Sequence, residues 1–314
     1  MISEKNNSGT TQVDQQHTLI SIVILNWNNW RQTLECISSV KAIDYAPFAI
    51  IVVDNGSTDG SEQKIRNAHP DITVIQTGSN LGYAAGNNFG LRRALEDGAD
   101  YVWLLNNDVV VDSRALTQLF KRMISDSRIG ICGSTVVYYD DNKLVQALGG
   151  GWYNFWLGTS GHIGDGRSLS SVRAEEEQIV ERRLAYVVGA SMLVSRRFIV
   201  DIGFMNESYF LYFEEIDWVT RAKGRYCLGY ASQSLVFHRE GATTGASNRA
   251  KRHKSAVADY HTIRSRLIYT KKYRPYALPS VYCGLVVTII NRGMRGQWNR
   301  VPMILKLMLS IGAL

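Results

Sequence analysis

Short apolar runs recur through the first third of the chain, and each one ends abruptly in polar residues. Runs of this length, rich in β-branched side chains, are typical of strands buried on both faces of a parallel sheet. They occupy residues 19–25, 49–53, 72–76 and 101–105. The intervening and following stretches predict helices over residues 30–41, 61–69, 84–97 and 113–126. Because strands that alternate with helices form right-handed βαβ units, the sequence predicts an α/β fold with a mostly parallel central sheet.

The polar residues that follow these runs are expected to gather along one edge of the sheet. The first run is followed by Asn26, the second by Asp54, and the fourth by Asn106, Asn107 and Asp108. Open α/β sheets bind their ligands at the carboxyl ends of the strands. Asn and Asp also favour turns and helix N-caps, which explains any single one of these ends without a function. The recurrence of the pattern on several strands favours a binding site.

Two common ways of binding a nucleotide are absent from the sequence. No Gly-x-Gly-x-x-Gly follows the first run, and no Gly-x-x-x-x-Gly-Lys-Ser/Thr occurs anywhere in the chain. A bound nucleotide must therefore be held by acidic and amide side chains, with a divalent metal that screens its phosphates. Asp54, Asp59 and Asp108 offer hard oxygen donors for such a metal or for ribose hydroxyls.

Four motifs, in this order and at these spacings, resemble glycosyltransferase family 2. They are Ser21-Ile-Val-Ile-Leu-Asn26, Val52-Val-Asp-Asn-Gly-Ser-Thr-Asp-Gly60, Asn80-Leu-Gly-Tyr-Ala-Ala-Gly-Asn-Asn-Phe-Gly90 and Leu104-Leu-Asn-Asn-Asp108. The resemblance extends over residues 18–274 and is closest to the rhamnosyltransferase-like group that builds bacterial surface polysaccharides. It implies the three-layer α/β/α nucleotide-diphospho-sugar transferase fold. It also implies an inverting transfer of a sugar from a nucleotide donor to a hydroxyl group.

The same resemblance assigns roles to the polar residues of the first half. Asp54 matches the acidic residue that contacts the nucleotide base or ribose, and Asp59 matches a second acid in the same loop. Asp108 matches the last carboxylate of the Asp-x-Asp metal motif, whose first acidic position is Asn106 here, which implies a weakly held Mg²⁺ or Mn²⁺. His238, after another short apolar run, matches a histidine that approaches the metal or diphosphate; a structural role for a lone histidine stays open. The predicted donor-binding residues are Asn28, Asp54, Asn55, Asp59, Asn80, Asn107 and Asp108.

The second half contains three acids within four residues, Glu214, Glu215 and Asp217. They follow a predicted strand over residues 186–195 and begin a helix predicted over residues 214–223. Acids in a first turn suit the helix dipole, and Asp217 with Arg221 has i,i+4 spacing, so a purely structural role is available. Clustered carboxylates that are partly buried also raise the pKa of at least one member, as a general base requires. The family resemblance implies that Glu215 is the catalytic base, with Glu214 and Asp217 as supporting acids.

The charge of the chain is concentrated at its C-terminal end. From Arg249 onward there are 13 Lys and Arg residues and one acid, Asp259, while the remainder is net negative. Two apolar segments, residues 277–290 and 301–314, are shorter than the roughly 20 residues of a spanning helix. This composition favours a tail in an anionic membrane interface; packing on the catalytic domain or on a homodimer partner stays open. No recognition motif for nucleic acid accompanies the basic residues.

These observations divide the chain into three parts. Residues 1–17 are polar, have no signal-peptide pattern and are expected to be disordered. Residues 18–248 form the catalytic domain, with a nucleotide-sugar half (18–112) and an acceptor half (113–248), and residues 249–314 form the basic helical tail. The four scattered cysteines suit a reducing cytoplasm, so we expect the protein at the inner face of the plasma membrane.

The predicted function is transfer of a sugar to a growing cell-surface polysaccharide, such as an O-antigen, or to a lipid-linked oligosaccharide. The subgroup favours dTDP-rhamnose as the donor, and a UDP-sugar is the other candidate. Two alternatives stay open: a non-catalytic polysaccharide- or membrane-binding relative, and a sugar-phosphate nucleotidyltransferase. The second of these would show a Gly-rich loop with Arg and Lys after the first strand, and Asn26-Trp-Asn-Asn-Trp-Arg31 stands there instead.

Overall fold

A computed structural model describes residues 18–239 and 255–310. The predicted disorder of residues 1–17 and the predicted boundary at 248/249 lie outside these residues. The strands are β1 Ile20–Asn26, β2 Phe48–Asp54, β3 Thr73–Gln76, β4 Tyr101–Asn106, β5 Val109–Val111, β6 Ile129–Tyr138, β7 Val145–Leu148, β8 Gly150–Asn154, β9 Thr159–His162, β10 Tyr186–Val187, β11 Ser191–Ser195 and β12 Cys227–His238. The helices are α1 Trp30–Lys41, α2 Ser61–Ala68, α3 Gly82–Glu96, α4 Ala115–Ile124, α5 Glu177–Glu181, α6 Arg196–Ile202, α7 Glu214–Ala222, α8 Ala256–Tyr273, α9 Leu278–Met294 and α10 Val301–Leu309.

The central sheet has nine strands in the order β3-β2-β1-β4-β11-β6-β12-β5, with β7 paired to β6. The first four strands are mutually parallel, and β6 and β12 continue in the same direction across the antiparallel β11. A second sheet, β10-β8-β9, is antiparallel and lies beside the large one. The predicted mostly parallel sheet is confirmed, and the carboxyl ends of β1, β2 and β4 lie side by side.

Two apolar cores explain why the fold has three layers. On one face of the sheet, Ile22 and Ile24 of β1 pack with side chains of α1, α2 and α4. On the other face, Val23 packs with side chains of α3, α6 and α7. Successive side chains of a strand point to opposite faces, so an unbroken apolar run supplies both cores at once.

The strand predicted over residues 186–195 is wrong as a single element. The chain is divided there into β10, which joins the small sheet, and β11, which joins the large sheet between β4 and β6. Gly189 lies in the break, where an added Cβ would be 2.7 Å from Tyr83 Oη and 2.8 Å from Glu215 Oε1. An apolar run does not indicate that the chain passes from one sheet to another. The close approach of three segments at Gly189 requires a residue without a side chain.

The basic tail forms three helices, the first of which packs on the catalytic domain. Tyr269 of α8 belongs to an aromatic cluster with Tyr153, Tyr186 and Phe213. The expectation that both apolar tail segments are too short to span a membrane is corrected for the first one. Helix α9 continues beyond the apolar run. Together with the 3-10 turn before it, it forms a helical segment of 20 residues, Pro275–Met294, which is long and apolar enough to cross a membrane by length and composition alone. Of its most apolar stretch, 22% is buried. Length and composition alone do not distinguish a spanning helix from an interfacial one.

Candidate active site

Asp54, at the carboxyl end of β2, is completely buried and holds the loop that follows it. Its Oδ2 accepts a hydrogen bond from Asn26 Nδ2 at 2.8 Å. Its Oδ1 accepts from the backbone N of Ser57 at 2.8 Å and from Gln76 Nε2 at 3.0 Å. These bonds join β1, β2 and β3 at the edge where the sequence predicts the donor. A contact between Asp54 and a nucleotide stays a prediction.

Asn28, from the loop after β1, and Asp59 hold the end of this loop that leads into α2. Asn28 has a left-handed backbone, with φ of 52°, and its Oδ1 accepts from the backbone N of Thr58 at 2.7 Å. Asn and Asp adopt this region more readily than other side chains with a Cβ. Asp59 Oδ1 accepts from the backbone N of Ser61 at 3.0 Å and so satisfies the first turn of α2. The two predicted donor residues therefore lie in neighbouring loops, after β1 and after β2, that a hydrogen bond joins.

Asn55 and Asn80 connect β2 to the start of α3. Asn55 Nδ2 donates to Asn80 Oδ1 and to the carbonyl of Gly82, both at 3.1 Å, and its Oδ1 accepts from the backbone N of Leu81. Gly56 approaches so closely that an added Cβ would lie 2.4 Å from the backbone of Ser79. These hydrogen bonds and this close approach hold the N-terminus of α3 at the sheet edge.

Asn107, after β4, turns towards β1. Its Nδ2 donates to Thr33 Oγ1 at 3.0 Å and to Asn26 Oδ1 at 3.2 Å. The amide therefore ties the end of β4 to β1 and α1. A direct contact between Asn107 and the donor stays a prediction.

Asp108 meets His238, the last residue of β12. Asp108 Oδ1 is buried without a hydrogen-bond partner in the described part of the chain and lies 3.2 Å from His238 Nε2. The opposite ring nitrogen, Nδ1, lies 2.8 Å from Gln146 Oε1. An amide oxygen only accepts, so Nδ1 carries the hydrogen and Nε2 of a neutral ring presents its lone pair to Asp108. Two electron-pair donors this close require a proton or a metal cation between them.

This pair fits a divalent metal as part of its coordination shell. A carboxylate and an imidazole are both ligands of Mn²⁺, and a second-shell amide that orients the histidine is a common feature of metal sites. Within residues 18–239 and 255–310 no group of three or more His, Cys, Asp or Glu side chains has metal-site geometry. The remaining ligands would therefore come from water and the donor diphosphate, consistent with the weak binding predicted from Asn106.

The acids of α7 are presented by an unusual backbone. Tyr212 and Phe213, directly before the helix, both have left-handed conformations, with φ of 66° and 73°. Non-glycine residues in this region cost about 1–3 kcal/mol each and are concentrated at functional sites. Glu214 is buried with Oε2 unpartnered, and burial together with the charge of Glu215 raises its pKa well above the usual value. Burial raises the pKa of Glu215 to about 7, although its own backbone N–H and that of Gly189 oppose the shift.

Tyr83 connects the donor side with the acids of α7, and sequence reasoning missed it. Its hydroxyl donates to the carbonyl of Gly189 at 2.7 Å. Burial, followed by the charges of Glu215, Glu214 and Asp108, raises the pKa of Tyr83. The predicted base therefore lies beside the Tyr83 phenol, and the charge of the predicted metal ligand acts on the same group. Gly189 and Gln146 were also missed, and the one available signal was an isolated glycine within an apolar run.

Asp217 is a structural residue that joins α7 to the tail. Its Oδ2 accepts from Arg221 Nε at 2.9 Å, which is the i,i+4 pair that the spacing indicates. Its Oδ1 accepts from Tyr273 Oη at 2.8 Å and from Lys272 Nζ at 3.0 Å. The carboxylate is completely buried, whereas Arg221 and Lys272 keep part of their surface in solvent.

We expect Asp217→Asn to reduce the free energy of unfolding by about 2 kcal/mol, because it leaves two cations without their shared anion. Denaturant unfolding checks this value. Asp201→Asn is the matched control: it removes a half-buried acid paired with Arg225 and should change stability by less than about 0.5 kcal/mol. Wild-type stability of Asp217→Asn would contradict the structural role.

Solved structures with similar folds include two in complex with a nucleotide sugar. The mannosyltransferase PcManGT from Pyrobaculum calidifontis, in complex with GDP-Man and Mn2+, has a TM-score of 0.56 at 14% identity and covers 94% of this chain and 86% of its own. Residues 1–349 of TarS from S. aureus, in complex with UDP-GlcNAc, have a TM-score of 0.58 at 12% identity and cover 94% of this chain and 80% of their own. At these identities the similarity shows the fold alone, which confirms the predicted nucleotide-diphospho-sugar transferase fold.

Sequence comparison gives the family. The model described as glycosyl transferase family 2 matches residues 21–172. A relative named N-acetylglucosaminyl-diphospho-decaprenol L-rhamnosyltransferase, from Mycobacterium tuberculosis, is 26% identical over 251 residues, which cover 72% of this chain and 80% of the relative. Its name agrees with the rhamnosyltransferase-like group that the sequence motifs indicate. Residues 21–172 form a glycosyl transferase family 2 domain, and the chain is a glycosyltransferase.

Proposed function

We propose that this glycosyltransferase moves a sugar, with rhamnose favoured, from a nucleotide-diphosphate donor to a hydroxyl of a lipid-linked glycan at the membrane surface. The observation that supports it most strongly is that Glu215 lies beside Tyr83 at Gly189, while the charge of Asp108, the partner of His238, also acts on the Tyr83 phenol. The relative from M. tuberculosis is named for an L-rhamnosyl transfer to a diphospho-decaprenol acceptor, which supports both substrate classes.

The proposed reaction is a single displacement with inversion. The acceptor oxygen attacks the anomeric carbon, its proton passes to Glu215, and the bond to the diphosphate breaks as the nucleoside diphosphate leaves with the electron pair. A carboxylate with a pKa of about 7 is matched to this task, since it is substantially ionised at neutral pH and still basic enough to accept a proton. A bound Mg²⁺ or Mn²⁺, held by Asp108 and His238, would neutralise negative charge that develops on the leaving diphosphate.

The tail supports a location at the cytoplasmic face of the plasma membrane. Helices α9 and α10 expose apolar side chains to solvent: Val286, Val287, Ile290, Met294, Leu305 and Leu309. Lys and Arg residues flank these faces, as in segments that bind an anionic interface. A homodimer that covers the same faces is the alternative, and the mass of the detergent-free protein would distinguish it from membrane binding.

The function is tested by thermal unfolding with a panel of nucleotide sugars, each with and without Mn²⁺ or Mg²⁺. A ligand that binds only the folded state raises its stability by mass action, by about 2.7 kcal/mol at one hundred times the dissociation constant. We expect a metal-dependent rise in Tm with dTDP-rhamnose, and transfer of the sugar to a GlcNAc-diphospho-lipid. If no donor raises Tm and no product forms, the non-catalytic alternative replaces this proposal.

A further inference from the structure

Arg266, in the middle of α8, is a cation without an anionic partner among the described residues. Its aliphatic part packs against Gly158, where an added Cβ would lie 2.8 Å from Arg266 Cγ and 3.4 Å from Val281 Cγ2. Its Nε is buried without a hydrogen-bond partner, and the residue forms no ion pair within the described part of the chain. Burial lowers the pKa of the guanidinium, which nevertheless stays charged at neutral pH. Because an unpaired buried charge is costly, the site is suited to an anionic ligand.

Two tyrosines of one aromatic cluster connect the surroundings of Arg266 with those of the base Glu215. Burial raises the pKa of Tyr153 and of Tyr186; the charge of Arg266 opposes the shift at Tyr153, whereas the charge of Glu215 adds to it at Tyr186. Both rings belong to one packed cluster with Phe213, the residue that precedes the acids of α7. The cation and the base therefore act on different tyrosines of a single aromatic cluster.

A second cation and an exposed apolar loop lie beyond Arg266. The guanidinium of Arg274 is 5.2 Å from the centre of the Phe155 ring, and Phe155 in turn contacts Tyr153. The next residue, Trp156, is 61% exposed and packs edge-on against Tyr276, which is 60% exposed. The carbonyl of Trp156 accepts a hydrogen bond from Ser280 Oγ of α9. The loop and the exposed face of α9 form one apolar surface next to the two arginines.

We propose that Arg266 and Arg274 bind the diphosphate of the lipid-linked acceptor, an inference that rests on the proposed function. The order base, aromatic cluster, two cations and apolar surface matches the order of groups in such an acceptor: sugar hydroxyl, sugar ring, diphosphate and lipid chain. Arginine suits this role because its planar donors match phosphate oxygens in pairs. The diphosphate supplies the anion that residues 18–239 and 255–310 do not offer to Arg266.

Steady-state kinetics with two acceptors in detergent test this inference. One is a GlcNAc-diphospho-lipid with a short chain, and the other is a GlcNAc glycoside of the same chain without the diphosphate. For Arg266→Met we expect the KM for the first acceptor to rise at least about tenfold, with the donor KM and the KM for the second acceptor unchanged. Arg266→Lys keeps the charge, so its KM for the first acceptor should rise less than that of Arg266→Met. Arg295→Met, which removes the same charge from an exposed part of the tail, is the matched control and should behave like the wild type.

Folding and membrane binding are measured on the same variants. The Tm of Arg266→Met should equal or exceed that of the wild type, because the substitution removes a buried unpaired charge. Equal increases in KM for both acceptors would overturn the inference and leave the proposed function in place. The inference would also be overturned if Arg266→Met no longer floated with anionic vesicles while both KM values stayed normal. That result would show that Arg266 binds a lipid headgroup. A wild-type chain that uses neither acceptor would overturn the proposed function and this inference with it.

Discussion

Replacing Glu215 by glutamine is expected to reduce sugar transfer by about 10²–10⁴-fold, the usual contribution of a general base. The amide keeps the size of the side chain and cannot accept the proton of the acceptor hydroxyl. Glu215 lies beside Gly189 and Tyr83, at the point where the donor edge of the sheet meets α7. The kcat of purified wild type and variant, measured with saturating donor and acceptor, gives the comparison. Full turnover of Glu215→Gln would show that another group accepts the proton.

Glu214→Gln is the matched control for this substitution. The pKa of Glu214 is raised well above its usual value by burial and by the charge of Glu215, so this carboxyl is expected to be neutral already. An amide resembles the neutral acid, and the variant should keep most of the wild-type kcat. The rise in Tm that the donor produces should persist in both variants, which separates loss of chemistry from loss of binding.

The assignment of Glu215 as the general base determines the direction in which kcat changes with pH. Glu215 must be ionised to accept a proton, so the wild-type kcat should rise as the pH passes through about 7 and level off above it. Because the pKa of Glu215 is raised in the folded state, ionising it costs folding free energy as the pH rises towards 7. Above pH 7, Glu215→Gln should therefore be at least as stable as the wild type, and its residual activity should lose this pH step.

Local patterns were sufficient to predict the first half of the fold. The helix predicted over residues 30–41 is observed at Trp30–Lys41, and the four apolar runs correspond to β1 to β4 within one or two residues at each end. A buried parallel strand needs a continuous apolar run, and its connecting helix needs one apolar stripe. Both elements can therefore be predicted from residues that are close together in the sequence. The division of residues 186–195 between two sheets depends on distant partners, β8 and β4, and no local pattern records it.

The sequence correctly predicted which edge of the sheet carries the polar residues, but it did not predict the directions in which their side chains point. Asp54 and Asn107 turn inward and hold the loops together, whereas Asp108 keeps one carboxylate oxygen without a hydrogen bond. All three follow buried strands, and the difference arises from the partners they meet, namely Gln76, Thr33 and His238. Tyr83, Gln146 and Arg266 were missed for the same reason, because the importance of the first two depends on contacts 106 and 92 positions away, and that of Arg266 on a missing partner among the described residues.

Replacing Asp108 by asparagine is expected to abolish the metal-dependent part of donor binding and to reduce transfer by about 100-fold or more. Changes in the outer shell of a metal site alone cost about 10–100-fold, and loss of a charged ligand should cost at least as much. The Asp108 carboxylate supplies the negative charge next to His238 Nε2, and an amide oxygen is a weaker ligand. The measurement is the rise in Tm caused by the donor with Mn²⁺ and with EDTA, which is independent of turnover.

Two further variants make this experiment specific to the metal. Asp112→Asn removes an acid four residues further along, whose carboxylate accepts from the backbone N of Arg114, and it should retain the Mn²⁺ effect. Gln146→Leu removes the acceptor that orients the His238 ring and should weaken the Mn²⁺ effect by about 10–100-fold with Asp108 intact. An undiminished Mn²⁺ effect in Asp108→Asn would place the cation elsewhere. The 3.2 Å contact between Asp108 and His238 would then be an ion pair with a protonated imidazole, one that organises β12 without taking part in transfer.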